Sequence, residues 1–443
     1  MFILEDHTAK NRWRDSAARS CGVLTAFVLN LVSGPCTASN GLNLIGFGAE
    51  SIGMGGADLA VARDTSALNT NPAGLTQIED RLLNNTAAVI YARDVSHEDG
   101  FGNNEQVANN PMGLASFGYA DRITGSPLVW GIGLFAQGGA GVDYENINSP
   151  FGTSDDLSSL LRIAKLSSGL AWAVSDALSL GATLELVYSD LNQEVFPNTS
   201  FVNPANPDNA FFGYKLQDMN DLAPGLRLGM RYRLNEQVSL GMAYTPKTEL
   251  ALDGGTMNVD MSAIGLGKVR YRDVRAKGID QPQELGAGIA VQFTNALLLS
   301  LEVDWLDWSA AVHRSELRAK NPNNPSAPRH LDLTSELNWR DQYVFAVGAD
   351  YDLNARTVIR CGYNYGRNPI PDEHLSPLLA PINQHHLTLG GGYQLSRTWR
   401  LDGALEYDLP ETVSYNNHDL PFGPGASESS EIVSLYVELG GRW

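Results

Sequence analysis

The sequence has little charge and few long apolar runs. Charged side chains make up 18% of its 443 residues, below the quarter that is usual for soluble domains. After residue 38, no stretch reaches the roughly 18 apolar residues that a transmembrane helix needs. A polytopic helical membrane protein is therefore excluded. A β-barrel in a membrane fits this composition, because only every second residue of each strand faces lipid.

Basic residues are outnumbered by acidic ones. The 31 Lys and Arg residues against 50 Asp and Glu residues give a formal net charge of −19. A nucleic-acid partner requires basic patches, so we expect no nucleic acid to bind. An acidic balance suits the loop layer of a secreted or outer-membrane protein.

Cysteine is scarce, and two of the three cysteines, Cys21 and Cys36, lie in a segment with the features of an export signal. Basic residues precede an apolar run, and small residues follow it as far as Ala38. We expect residues 1–38 to be a signal peptide; an N-terminal membrane anchor or a buried helix is the alternative. Cleavage would leave Cys361 alone, so no intramolecular disulfide is expected.

The pattern that recurs along the rest of the chain is a hairpin of two alternating arms. In residues 226–244, "LRLGMRYRLNEQVSLGMAY", apolar side chains stand at every second position on both sides of a turn at Asn235-Glu236. Alternation with a period of two indicates strands, and the tight turn indicates a hairpin. The same arrangement returns with turns near residues 176, 295, 354 and 397.

Long polar segments rich in Asn, Pro and Asp separate these hairpins. Short turns at one end and long loops at the other are typical of an outer-membrane barrel. The sequence therefore predicts an all-β protein, a fourteen-stranded antiparallel transmembrane β-barrel, with region 252–281 the least clear. We expect the strands near residues 82–97, 112–122, 128–141, 159–174, 178–192, 221–234, 237–251, 282–293, 297–312, 340–352, 356–367, 385–395, 398–412 and 430–443.

The final strand, "EIVSLYVELGGRW", is the sharpest single signal. Val437, Leu439 and Trp443 share one face, and Glu438 lies on the other. An amphipathic strand that ends on an aromatic residue is typical of bacterial outer-membrane barrels, and we expect Trp443 to engage the barrel-assembly machinery. The terminal strand of a soluble barrel is the alternative. A soluble sheet would need a second apolar layer to cover this face, whereas lipid can cover it in a membrane.

Three stretches of the chain carry a resemblance to a known family. They are "GFGAESIGMGGADLAVARDTSALNTNPAGL" at 46–75, "LEVDWLDWSA" at 301–310, and "IRCGYNYGRNPIPD" at 359–372 with the glycine-rich segment 390–409. Together they resemble the FadL family of outer-membrane transporters for long-chain fatty acids and other hydrophobic compounds, which includes the TodX-type channels for aromatic hydrocarbons. The resemblance covers essentially the whole chain after the signal.

The resemblance implies that an N-terminal hatch plugs the barrel. Residues 39–80 would form the hatch and residues 81–443 the barrel. Small residues would let this segment approach the barrel wall closely, and a residue before proline favours an extended-to-turn corner. The hatch motif is expected at Gly55, Gly56, Asn71, Pro72 and Ala73.

Strand parity places several charged side chains in the lumen, because charges cannot face lipid cheaply. A fatty-acid carboxylate would need a cationic partner there, and arginine offers forked donors. Ion pairing between wall and hatch is the alternative role. Where the family often carries an arginine, this chain reads "PINQHH" at 381–386, which keeps neutral ligands open. The expected inward charges are Lys165, Arg227, Arg231, Glu302, Asp304 and Arg360; the cation candidates are Arg360, Arg227 and Lys165.

Other chemistry finds little support in the sequence. "GAGIAV" at 286–291 lacks the third glycine of a nucleotide loop, and His385 and His386 point to opposite faces of a strand, which makes a poor metal site. We expect no catalytic residues, no metal and no cofactor. The function predicted is passive uptake of fatty acids or other hydrophobic molecules across the bacterial outer membrane, by a monomer in contact with lipid and lipopolysaccharide. Neutral hydrocarbons as ligands, a lipid hydrolase and a structural barrel are the alternatives.

Overall fold

The computed structural model describes residues 40–108, 111–206 and 210–443. The predicted signal peptide lies outside the described residues. The remainder is dominated by β-structure, with two short helices, α1 (Gly48–Gly53) and α2 (Trp308–Ala311), and 3-10 turns at Thr65–Leu68, Pro72–Gln77 and Ser262–Ile264.

The described residues contain nineteen strands, numbered along the chain. They are β1 (Arg81–Glu98), β2 (Asn104–Gln106), β3 (Met112–Arg122), β4 (Leu128–Asn148), β5 (Ser154–Ala173), β6 (Leu178–Val202), β7 (Ala210–Arg233), β8 (Val238–Thr245), β9 (Thr256–Asp260), β10 (Lys268–Lys277), β11 (Glu284–Gln292), β12 (Leu297–Leu306), β13 (Arg314–Pro322), β14 (His330–Glu336), β15 (Gln342–Asn354), β16 (Thr357–Gly366), β17 (His385–Gln394), β18 (Trp399–Asn416) and β19 (Pro424–Arg442).

Fourteen of these strands form a closed antiparallel barrel. The order around the wall is β1, β3, β4, β5, β6, β7, β8, β11, β12, β15, β16, β17, β18 and β19. The barrel closes where β19 returns to β1, in a ladder that runs from Leu82↔Arg442 to Glu98↔Ser427. Closure removes the two edges that an open sheet would expose. The predicted fourteen-stranded barrel is confirmed.

The two ends of the barrel differ. Short turns at 123–127, 174–177, 234–237, 293–296 and 395–398 mark one end, which is the periplasmic end in barrels of this kind. At the other end, β2, β9, β10, β13 and β14 extend the wall outward. Region 252–281, where the alternation was least clear, supplies β9 and β10, which pair with each other and join β7 and β13.

The alternation of the strands separates two environments. Outward side chains are apolar and exposed, as at Leu184 (70% exposed) and Val437 (46%), while the inward Glu438 is only 4% exposed. Aromatic residues gather at the periplasmic rim, where amphipathic rings anchor a barrel in the membrane interface. The predicted parity of the last strand is confirmed. The exposed rim aromatics are Trp130, Trp172, Phe293, Tyr351, Tyr393, Trp399 and Trp443.

None of the described helices is both long enough and apolar enough to cross a membrane.

Cys361 offers a direct test of this parity. Its side chain is exposed on the outer wall of β16, next to the buried and inward Arg360. In a bilayer a thiol at this position faces hydrocarbon, which a charged reagent enters only at a high cost in free energy. An apolar maleimide should label the folded protein in liposomes, and a charged maleimide should label it slowly until the barrel is unfolded. Labelling by both reagents at equal rates would contradict the assigned face.

Candidate functional site

Residues 40–80, called the hatch segment below, contact the inward faces of strands around the barrel. The segment contains α1 and two 3-10 turns whose first donors are capped by side chains. Asp64 accepts a hydrogen bond from the Ser66 amide, and Asn71 accepts one from the Ala73 amide, with Pro72 at the first position of its turn. Such caps satisfy donors that a short helix leaves without partners.

Glycine allows the hatch segment and the wall to come into backbone contact. Gly55 has φ +67, and a Cβ there would lie 2.8 Å from the Tyr363 backbone nitrogen. On the wall, a Cβ at Gly229 would lie 2.2 Å from Asn71 Oδ1. Asn71 donates to the carbonyl oxygen of Met230 at 3.0 Å, so the Asn-Pro-Ala motif bonds the hatch segment to β7. The other motif residues, Gly56, Pro72 and Ala73, are buried.

Arg360 is the centre of an ion-pair network between wall and hatch segment. Its guanidinium donates to Asp350 at 3.0 Å, to Asp402 at 2.8 Å and to Glu50 of α1 at 2.9 Å, and its side chain is 0% exposed. Arg63 of the hatch segment pairs with Glu50 and Asp350. One buried arginine therefore binds three carboxylates, two from strands of the wall (β15 and β18) and one from α1.

The other two candidate cations are also paired. Arg227 donates to the Thr70 carbonyl oxygen of the hatch segment at 2.9 Å and forms an ion pair with Glu284. Lys165 lies 3.1 Å from the Glu185 carboxylate, and both side chains are buried. A ligand carboxylate would have to displace an acidic partner at each position. The ligand-binding role of Arg360, Arg227 and Lys165 stays a prediction.

Carboxylates also gather where the hatch segment meets β12. The Leu59 amide donates to Glu302 at 2.7 Å, and Glu302 shares a hydrogen bond with Asp304. Asp58 lies nearby and lines the same cavity of about 80 Å³. Burial raises the pKa of Asp58 to about 7, and the carboxylates of Asp64 and Asp304 add to the effect.

The pKa values of two other hatch acids move in opposite directions. Burial raises the pKa of Asp64 to about 6, with a further contribution from the Glu50 carboxylate. Burial acts in the same direction on Glu50, but the guanidinium groups of Arg63 and Arg360 outweigh it and lower the Glu50 pKa to about 2. The hatch segment thus holds one firmly ionised acid beside others that resist ionisation.

The lumen changes character along the barrel axis. At the level of the hatch segment, the inward face of β5 carries Lys165 and small residues, and toward the extracellular end it carries large apolar ones. At the periplasmic mouth, a cavity of about 530 Å³ is lined by charged residues that include Arg63, Asp352 and Arg400. The outer half holds a buried apolar cluster, called the outer apolar cluster below, which includes Leu161, Ile163, Val187, Leu191, Leu375 and Ile382.

The hatch segment also covers an unpaired stretch of wall. β3 and β4 pair only from Phe117↔Leu134 to Arg122↔Val129. Beyond that point β4 bonds with the start of the hatch segment, where Leu44 donates to the Gln137 carbonyl at 3.2 Å and Gly139 donates to Leu42 at 3.0 Å. Backbone groups of β4 that lack a strand partner are therefore satisfied by the hatch segment.

Sequence reasoning placed Arg360 in the lumen but missed its partners. Asp350 and Asp402 stand at inward positions of β15 and β18, so alternation along each strand predicts that their side chains face the lumen. Their meeting with Arg360 depends on the register Asp350↔Arg360 and on the neighbouring β17. Alternation alone does not supply that register.

The sequence profile of the family described as Outer membrane protein transport protein (OMPP1/FadL/TodX) matches residues 31–434. The chain is 22% identical over 422 residues to Outer membrane protein P1 of Haemophilus influenzae, which covers 84% of this chain and 87% of that protein.

Solved structures share the fold. The Pseudomonas putida toluene transporter TodX superposes with a TM-score of 0.75 at 21% identity, over 90% of this chain and 99% of its own. The Ralstonia pickettii toluene transporter TbuX gives a TM-score of 0.71 at 23% identity, with the same coverage of 90% and 99%. The family match covers most of the sequence, and the barrel agrees with it. The chain therefore belongs to the Outer membrane protein transport protein family (OMPP1/FadL/TodX) and is a transport protein of the bacterial outer membrane.

Proposed function

We propose that this protein conducts neutral hydrophobic molecules inward across the outer membrane, and that the hatch segment moves to let them pass. The observation that carries the proposal is the pairing of the lumen cations. Arg360, Arg227 and Lys165 each have a carboxylate partner. Further acids, Asp58, Glu302 and Asp304, line the cavity that Arg227 also lines. A fatty-acid anion would meet net negative charge at low dielectric, which is unfavourable.

Two further features support a neutral ligand. The outer apolar cluster fills the extracellular half of the barrel with non-polar side chains, so a hydrophobic molecule that entered there would have non-polar surroundings. Two structures with the same fold are toluene transporters, and toluene is uncharged. The chain belongs to a family of transport proteins, so we infer a passive channel rather than a lipid hydrolase or a structural barrel.

Uptake of fatty acids is the second candidate function. It requires Arg360, Arg227 or Lys165 to exchange an acidic partner for the ligand carboxylate. Arg227 is the best placed for such an exchange, because its Nε has no hydrogen-bond partner among the described residues and its side chain lines the cavity beside the hatch segment.

The two candidates can be separated by flux into vesicles. The purified barrel is inserted into liposomes whose outer leaflet contains lipopolysaccharide, and entry of naphthalene is compared with entry of a fluorescent long-chain fatty acid at pH 7.5. We expect the protein to accelerate naphthalene entry over protein-free vesicles and to leave the fatty acid nearly unaffected. Equal acceleration of both would favour the fatty-acid function, and acceleration of neither would contradict transport.

Arg360→Met tests whether the ion-pair network holds the hatch segment closed. The substitution keeps a long apolar side chain but leaves Glu50, Asp350 and Asp402 buried without their shared cation. Removing one partner of a buried ion pair typically costs about 3–5 kcal/mol, so the hatch segment should dock less firmly. Single-channel conductance in planar bilayers should rise, while the barrel should still resist denaturation on an unboiled gel.

Arg397→Met is the matched control for this change. Arg397 lines the same periplasmic mouth but is exposed, so its removal should leave the conductance as in the wild type. Wild-type conductance in the Arg360 variant, with a folded barrel, would show that this network does not hold the hatch segment.

Asp58→Asn should reduce a pH dependence of hatch opening. The docked hatch segment raises the Asp58 pKa from 3.8 to about 7, so between about pH 4 and 7 the docked state retains a proton that the released state loses. Docking therefore weakens as pH rises through this window and is constant above it. Wild-type openings in planar bilayers should be more frequent at pH 7.5 than at pH 4.5, and the variant should show a smaller difference.

Asp176→Asn, in an exposed periplasmic turn, controls for a general effect of charge removal and should behave as the wild type. Asp64 contributes a pH dependence of the same sign through its own raised pKa, so a residual difference is expected in the Asp58 variant. A pH dependence unchanged by Asp58→Asn would exclude this residue as a titrating contact of the hatch segment.

A further inference from the structure

A second group of ionisable side chains lies in the lumen away from the Arg360 network. His386 of β17 stands directly opposite Asp408 of β18, and Glu406 lies two residues from Asp408 on the same inward face. All three residues are buried: His386 is 0% exposed, Glu406 4% and Asp408 2%. The neighbouring Thr388 donates to the Gly53 carbonyl oxygen of α1 at 3.3 Å, which places the group beside the hatch segment.

The three side chains converge on one point. One imidazole nitrogen and one oxygen from each carboxylate lie within 4.8 Å of one another. His386 Nδ1 is 2.8 Å from Asp408 Oδ1 and 3.9 Å from Glu406 Oε1. Ligand atoms around a metal with bonds of about 2.1 Å lie roughly 3 to 3.5 Å apart, so side-chain movements of about 1 Å would bring all three atoms to one ion.

The surroundings hold these groups in place. Tyr436 of β19 donates to Glu406 Oε2 at 2.9 Å, which leaves Oε1 directed toward the imidazole. A hydrogen bond from outside the cluster that orients a carboxylate is a regular feature of metal sites. The three residues stand on two hydrogen-bonded strands, so their relative positions are set by the barrel ladder rather than by a loop.

The charges of the group point to a cation rather than to a purely structural role. Glu406 and Asp408 place two carboxylate oxygens within 4.8 Å of each other in a buried setting, where negative charges repel each other and a shared cation is favourable. His386 presents Nδ1 to both carboxylates, so the imidazole adds a nitrogen ligand to the two oxygen ligands.

We propose that His386, Glu406 and Asp408 bind one divalent transition-metal ion in the lumen beside the hatch segment. An imidazole with two carboxylates suits zinc and its neighbours in the first transition row, whereas calcium and magnesium prefer oxygen ligands alone. The three side chains leave a coordination position for water or another ligand. The adjacent pair His385 and His386, considered above from the sequence, is not the site, because His385 contacts Tyr363 instead.

Zinc titration of the full mature barrel in detergent, without an affinity tag, tests the proposal. Calorimetry should show one saturable zinc site, and cobalt should give a visible d–d absorption band that zinc displaces. Glu406→Gln keeps the shape of the side chain and removes its charge, and should weaken zinc binding by at least about tenfold. His386→Gln should weaken it at least as much.

His385→Gln is the matched control, because it removes a neighbouring histidine and leaves the site intact. It should bind zinc as the wild type does. Unboiled gels report whether each variant is folded, and Glu406→Gln decides the matter if His386→Gln does not fold. Absence of saturable zinc binding would show that a proton alone joins the carboxylates, and unchanged binding in folded Glu406→Gln would place zinc elsewhere; either result overturns the proposal.

Discussion

The structure depends on one constraint: in hydrocarbon, no water is present to satisfy backbone hydrogen-bond groups. The wall therefore has to close on itself, and it does so in the ladder between β1 and β19. Closure fixes the parity of every strand at once, because an outward position must be apolar and the alternate position must face the lumen. Where the lumen-facing positions carry charge, those charges are forced into a confined interior.

A confined interior filled with charge needs internal compensation. The buried carboxylates of Asp350 and Asp402 need a cation beside them, because burying an unpaired charge costs free energy. Arg360 compensates them from the wall, and Glu50 with Arg63 brings the hatch segment into the same network. The wall needs Arg360 to compensate its own buried carboxylates, and the same arginine also holds the hatch segment. Ion pairs hold the hatch segment firmly against the wall. They also allow a small number of other arrangements, because each charged group can exchange one partner for another.

The extent to which the sequence predicts this structure follows from what alternation encodes. It gave the number of barrel strands and the orientation of Arg360, Glu438 and Cys361 correctly, because those properties depend only on period two within one strand. Pairing between side chains on different strands depends on register, which a single strand does not carry. The sequence therefore could not predict the contact of His386 with Asp408 or that of Arg360 with Asp402.

The extracellular extension was missed for a different reason. In β10, β13 and β14 polar and charged side chains occupy most positions, as in "KVRYRDVRAK". The few apolar ones, such as Val269 and Tyr271, are buried, so no lipid-facing apolar stripe marks the strands. These strands are held by backbone pairing to one another and, through β9, to β7 instead of by a lipid-facing stripe. Outside the membrane, water solvates the remaining face, and the strict apolar alternation that reveals a transmembrane strand is no longer required.

The hatch segment and the wall share backbone hydrogen bonds as well as ion pairs, so the position of the segment inside the barrel is linked to completion of the wall. β3 leaves β4 after Phe117↔Leu134, and the hatch segment takes over the exposed edge through Leu42 and Leu44. A movement that withdraws these residues would leave donors and acceptors of β4 unsatisfied, which costs free energy unless water enters. Small displacements that keep the β4 bonds and break contacts at Arg360 are therefore easier than ejection of the whole segment. The polarity of the lumen agrees with such a movement, because the charged contacts face the periplasmic mouth while the outer half remains apolar.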